Sequence, residues 1–409
     1  MKNTASRRIA PFALWLGWVA GAFAQDVRVY TPQMTEDHMT SVAMSAPVAP
    51  TLSGDAALAL DPGAPLAPFV IGTTPGRAVP FIPSHNLYAY CISDAAAPGP
   101  KSNVVVMTGN HNTETSGSHA FQGFIDFILS AAPEAVALRA AADFHVYPLV
   151  NPDGRYTMSG RANAEMAAEG FGNDHNRVWN TLGLDLSTID AIGAAILNDT
   201  GRRADYFFDF HGAQSDDFFY VDRDLLGHPF GQAMAARAPQ APERLINPDH
   251  RGTSVAWARS QSGLNAGYAI VPENSFNFDV AGYNQLGAAY ALALYDVISA
   301  GLDPTPGTPF PRDGAGFVDP LTAMSWHSHA ADAAFDVYLG ADENQVGAAT
   351  TASPLYLGRG TSSFIDASPL DFNADHFWRV DAIVGAAVHP GPVWSFTTTL
   401  PRPDTQALN

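Results

Sequence analysis

His111-Asn112-Thr113-Glu114 sets an imidazole and a carboxylate three residues apart, close enough to grip one metal ion from a single turn of backbone. Asp209-Phe210-His211-Gly212 offers a second imidazole about a hundred residues later. Two imidazoles and one carboxylate suit zinc and leave a fourth position for water, the arrangement of a hydrolytic rather than a structural site. Three further segments carry reactive or charged groups: Asn151-Pro152-Asp153-Gly154-Arg155, Gly172-Asn173-Asp174-His175-Asn176-Arg177 and Val271-Pro272-Glu273-Asn274-Ser275. Each taken alone has a plain reading, respectively a tight turn at a strand exit, a surface loop, and a strand-end carboxylate facing water.

The elements around these segments decide between the two readings. Val104 to Met107 is a continuous, mostly β-branched run of the kind buried on both faces of a sheet. Phe121, Phe124, Ile125, Ile128 and Leu129 follow at helical spacing. Phe144 to Val150, Tyr206 to Phe210 and Tyr268 to Val271 read as further strands, and Leu286 to Ile298 as a closing helix. Before them, Phe69 to Ile71 and Val79 to Ile82 flank a turn as in a hairpin, and Leu87 to Ile92 reads as one strand. This alternation predicts an α/β fold with a mixed, mostly parallel sheet flanked by helices. His111, Asn151, His211 and Glu273 each fall just beyond a strand, where open α/β sheets bind their ligands.

With 409 residues and 46% hydrophobic content the chain can hold a large core and more than one domain. The net charge of −19 argues against nucleic acid and anionic membrane surfaces as partners. A single cysteine, Cys91, excludes an intrachain disulfide and sits in an apolar strand, where an unreactive free thiol is expected. Lys2, Arg7 and Arg8, the apolar run from Ala10 to Phe23 and the small residues before Gln25 read as a signal peptide over residues 1–24. No later segment is apolar enough to span a membrane, so an exported protein, periplasmic or secreted, is expected. Residues 25–66 read as a loosely ordered leader or edge segment, 67–302 as the α/β domain and 303–316 as a Pro/Gly-rich linker. Short alternating strands over 317–400 predict an all-β sandwich, with a tail at 401–409. The closing Trp378-Arg379-Val380-Asp381 and Val393-Trp394-Ser395-Phe396-Thr397-Thr398 resemble a fibronectin type III-like module.

The order His-x-x-Glu, Asn-Pro-Asp-Gly, Asp-x-Asn-Arg, His-Gly and a strand-end Glu resembles the M14 zinc metallocarboxypeptidases over roughly residues 68 to 300. Arg161, ten residues after Asn151, makes the likeness strongest to the cytosolic-carboxypeptidase-like and related bacterial branches. The resemblance implies one zinc ion (Zn2+) per chain, held by His111, Glu114 and His211, with Asp174 orienting His111. It implies Glu273 as the general base, Arg161 polarising the scissile carbonyl, and Asn176 and Arg177 clamping a substrate carboxylate. Arg155 is the alternative to Arg161. Two departures stand out. No tyrosine lies between Arg251 and Asn265 to cover the substrate, and His175 occupies a position where many relatives carry an apolar residue. His175, His119 and His145 are read as structural. The expected substrate is a peptide with a free carboxylate. Acylated amino acids and cell-wall peptides are the alternative within the same fold, and a non-catalytic binding protein docking through the sandwich is the alternative outside it.

Overall fold

The computed structural model describes residues 28–78, 81–97, 101–157, 161, 174–181, 187–246, 252–260, 262–300, 305–328 and 333–399. The signal peptide and the tail read from the sequence lie outside them. Among the described residues ten strands precede the β-rich C-terminal region: β1 Val48–Pro50, β2 Val70–Thr73, β3 Asn86–Tyr88, β4 Tyr90–Ile92, β5 Ser102–Thr108, β6 Ala142–Tyr147, β7 Tyr206–Gln214, β8 Phe218–Val221, β9 Glu243–Leu245 and β10 Tyr268–Ser275. Eight of them form one sheet in the order β1-β4-β6-β5-β7-β10-β8-β9. The central pairs β6/β5, β5/β7 and β7/β10 and the edge pair β8/β9 are parallel, whereas β1/β4, β4/β6 and β10/β8 are antiparallel. The sheet is mixed and mostly parallel.

β5 explains why the centre of this sheet reads as an unbroken apolar run, since Val104 to Met107 are fully buried. The helices Thr115–Leu129 and Val280–Ser299 cover one face, where Phe121, Phe124, Phe208 and Tyr290 share a core. The helices Ser187–Asp199 and Ser254–Ala258 cover the other, where Val105, Phe207, Ile192 and Trp257 meet. A layer on each face closes the sheet to water and leaves the strand ends as the accessible edge.

The structure departs from the sequence reading in several places. The hairpin partner of β2 is β3, not the 79–82 segment, of which 79 and 80 lie outside the described residues. The expected strand from Leu87 to Ile92 divides, because Tyr88 pairs with Val70 in a separate two-stranded sheet and Tyr90 pairs with Val146 in the main one. Strands β7 and β10 run further than expected and carry His211 and Glu273 within their last turns of pleat. Residues 25–66 are not a loose leader in their described part. Thr31 caps the helix Pro32–Ala43, whose Met39 and Val42 enter the main core, and β1 adds an edge strand beside β4.

The expected linker also carries structure. Gly307–Phe310 joins a three-stranded sheet with Met324–His327 and Phe364–Ile365, and Ala315–Val318 joins a second sheet beside Trp394–Thr398. Together with Ala334–Gly340, Tyr356–Gly360, Asp375–Val384 and Ala387–Pro390 these strands form a two-sheet β-rich region around Trp326, Trp378 and Trp394. Polar contacts join it to the α/β part: Arg203 donates to the Ser328 carbonyl at 2.6 Å, and Arg312 pairs with Asp222 at 3.1 Å.

Candidate metal centre

His111 lies in the loop after β5, and Glu114 stands immediately before the helix Thr115–Leu129. Glu114 gives that helix no side-chain cap; its carboxylate turns to the two histidines instead. Oε1 lies 2.8 Å from His111 Nδ1 and Oε2 lies 2.7 Å from His211 Nδ1, while the two Nδ1 atoms are 3.1 Å apart. One ligand atom from each residue lies within 4.8 Å of the others, and all three residues are buried. The approach demands glycine at 117, because any Cβ there would strike the His211 carbonyl.

The outer nitrogens of both rings meet carboxylates. His111 Nε2 is 2.8 Å from Asp174 Oδ1, and His211 Nε2 is 2.9 Å from Asp209 Oδ2. A carboxylate on Nε2 keeps the proton there and turns the Nδ1 lone pair inward, so both rings present donors to one point. Converging imidazole lone pairs, a carboxylate and a buried setting fit a zinc ion. Burial alone would raise the Glu114 pKa, but its interactions with His211 and His111 outweigh it and hold the carboxyl well below its usual range.

Sequence reasoning brought Asp174 into the site and missed the residues on the other side. Asp209 is fully buried and its Oδ2 also accepts from Asn110 Nδ2 at 2.6 Å and from Ser254 Oγ. The signal was present, since residues two apart on a strand share a face, and Asp209 stands two before His211. Asn110 in turn meets His175 Nδ1 at 2.9 Å and Trp179 Nε1 at 3.2 Å through its Oδ1. His175 is therefore held away from the donor set, and burial pushes its pKa down to about 3. His119 contacts the Val29 carbonyl at 3.0 Å and His145 contacts Asn103 Oδ1 at 3.1 Å. Cys91 is half-buried, with its thiol pushed up to about 12 by burial.

The remaining candidates gather at a cleft of about 50 Å³. Its polar lining is His111, Arg161, Asn176, Arg177, His211, Thr253 and Glu273, and Tyr220, Ile246, Val255 and Val271 line it as well. Parallel pairing sets Glu273 directly beside His211 in register. Glu273 is 8% exposed, accepts from Gln214 Nε2 at 3.3 Å, and burial raises its pKa to about 8. Arg161 donates to Glu114 Oε1 at 3.2 Å and to Asp174 Oδ2 at 3.0 Å, and its Nη2 lies 2.9 Å from His111 Nε2. Asn176 contacts His211 Nε2 at 3.2 Å, and its Oδ1 accepts from the Ser254 amide at 2.7 Å. Arg177 reaches the cleft mouth with a 40% exposed side chain. Arg155, the alternative to Arg161, is fully buried and is not among the cleft-lining side chains.

Residues 83–193 match the zinc carboxypeptidase family model. Cytosolic carboxypeptidase 2 of Xenopus tropicalis is 31% identical over 139 residues, 32% of this chain and 13% of that protein. Human cytosolic carboxypeptidase 6 is 34% identical over 127 residues, 29% of this chain and 23% of that protein. The matched stretch thus spans less than a quarter of either relative. A metallo-carboxypeptidase from Burkholderia cenocepacia shares the fold, with a TM-score of 0.51 at 18% identity over 66% of this chain and 70% of that one. The structural match shows the mixed α/β fold. Among the described residues no helix is long and apolar enough to cross a membrane.

Proposed function

We propose that this chain is an exported zinc metallocarboxypeptidase that hydrolyses C-terminal peptide bonds, with Glu273 as general base. The observation that carries the reading is the pairing of Glu273 with His211 across adjacent parallel strands, which sets a buried carboxyl beside a set of metal donors. When bound at His111, Glu114 and His211, zinc would supply Lewis acidity toward water and the scissile carbonyl. The chain's own groups account for the rest. Glu273, a buried carboxyl in register with His211, stands where a general base would take a proton from water and pass it to the leaving amine nitrogen. Arg161, beside Glu114, offers guanidinium donors where negative charge develops on the carbonyl oxygen. Arg177, with Asn176, offers a planar fork for the substrate's terminal carboxylate. The N-terminal signal supports export. The β-rich C-terminal region is read as a fibronectin type III-like spacer or docking element.

The test is zinc content and hydrolysis of a panel of free and amide-blocked peptides by wild type and Glu273→Gln. About one zinc per chain in both, with turnover about 10²–10⁴-fold lower in the variant and free termini strongly preferred, is the expected result. Equal cleavage of blocked and free peptides would refute the exopeptidase reading. Zinc binding without peptide cleavage would move the substrate to acylated amino acids.

A further inference from the structure

Arg155 has a fully buried guanidinium whose hydrogen bonds go to carbonyl oxygens rather than to a carboxylate. Nη1 donates to the Tyr30 carbonyl and Nη2 to the His111 carbonyl, both at 3.3 Å, and the group lies 5.7 Å from the centre of the Tyr30 ring. Burial draws its pKa down to about 10, so it remains charged at neutral pH. Holding a charge out of water with no carboxylate in hydrogen-bond contact is costly, and the two carbonyl bonds offset part of that cost.

What it joins are two distant parts of the chain. One is the backbone of His111. The other is the segment entering the helix Pro32–Ala43. A second contact repeats the connection: His119, in the helix that starts after Glu114, meets the Val29 carbonyl at 3.0 Å, and the Tyr30 ring stands edge-on to it at 5.1 Å. The carbonyls of Val29 and Tyr30 are therefore each taken by a side chain from the neighbourhood of the metal loop. Farther along, Tyr88 donates to Glu36 at 3.1 Å and Met39 and Val42 enter the main core. None of the described cleft-lining residues comes from 28–66.

We propose that Arg155 is a positioning residue that couples docking of the 29–43 segment to the shape of the metal-binding loop. The segment is then a permanent part of the catalytic unit, and zinc binding and segment docking favour one another reciprocally. The inference rests on reading His111, Glu114 and His211 as a metal centre.

The full chain tests it in three measurements: zinc affinity by chelator competition, the visible spectrum of the cobalt-substituted protein, and protease cleavage within 28–45 with and without zinc. Arg155→Met is expected to weaken zinc binding about tenfold or more, alter the cobalt spectrum and abolish zinc protection of the segment. Arg155→Lys, which can keep one of the two carbonyl bonds, is expected to fall between. Arg379→Met removes another buried guanidinium, in the β-rich region, and is expected to leave all three readouts unchanged. Zinc affinity within about twofold of wild type in Arg155→Met would overturn the proposal, as would an equal loss in Arg379→Met. Should Arg155→Met fail to fold by circular dichroism, Arg155→Lys decides: zinc binding weaker than wild type supports the coupling and unchanged binding overturns it. A wild type that binds no zinc would first refute the metal-centre reading.

Discussion

Replacing Asp209 by asparagine separates its two duties, holding the site together and setting the His211 ring. Its Oδ2 accepts from His211 Nε2 at 2.9 Å, from Asn110 Nδ2 at 2.6 Å and from Ser254 Oγ, all in a fully buried setting. Asparagine keeps the shape and one acceptor oxygen but loses the charge. Hydrogen bonds to a charged group contribute roughly 1.5–3 kcal/mol against roughly 0.5–1.5 for neutral pairs, so each of these bonds weakens by about 1 kcal/mol. The bonds to Asn110 and Ser254 bear on folding, giving an apo chain about 2 kcal/mol less stable in urea unfolding. The bond to His211 bears on the metal, because a neutral partner makes Nδ1 a poorer donor. A further loss of about 1–2 kcal/mol there corresponds to a zinc affinity about 5–30-fold weaker. Chelator competition on the folded variant reads that second effect directly. An affinity within about twofold of wild type, alongside the lower stability, would refute the argument and leave Asp209 a purely structural residue.

Two further outcomes follow from packing and burial. His38 is 7% exposed on the helix Pro32–Ala43, and burial lowers its pKa from 6.5 to about 4. The unfolded chain takes up that proton first, so this contribution is complete above about pH 6.5 and is lost as pH falls toward 4, reaching about 3 kcal/mol. Urea unfolding of His38→Leu between pH 7 and 4 should show a fall in stability smaller by about that amount, and an unchanged fall would contradict it. At Gly287 the helix Val280–Ser299 touches the helix Thr115–Leu129 so closely that a Cβ would strike the Ala120 carbonyl. Gly287→Ala is expected to cost about 1–3 kcal/mol in chemical denaturation, and a variant as stable as wild type would show that the helices can slide apart freely.

The fold and the candidate donor set were legible where a residue's position on its own element carries the information. Val104 to Met107 had to be central, and a His or Glu at the end of such a strand had to face the accessible edge. Partners brought together only by packing were not legible. Ser254 reaches Asp209 from a separate helix, and nothing in its neighbours distinguishes it from any helix-start serine. Composition hid the N-terminal helix, because a stretch rich in Ala, Ser and Thr reads as loose chain. Its Thr31-Pro32 start and the spacing of Thr35, His38, Met39 and Val42 were visible but short. The division between β3 and β4 depended on which neighbours were on offer, a matter of tertiary pairing that local propensity does not encode.

The register of β5, β7 and β10 has a consequence for the order in which the protein matures. His211 is a hundred residues from His111, and Ser116 closes on the Asn274 carbonyl from 158 residues away. Such distant closures form late, after the loop entropy between them has been overcome. While the chain is still being made, an N-terminal fragment ending before His211 has only a two-residue His–Glu chelate. Capture of an ion by the full donor set would therefore wait until β7 has been laid beside β5, making a metal a late fitting in assembly rather than the seed around which the domain folds.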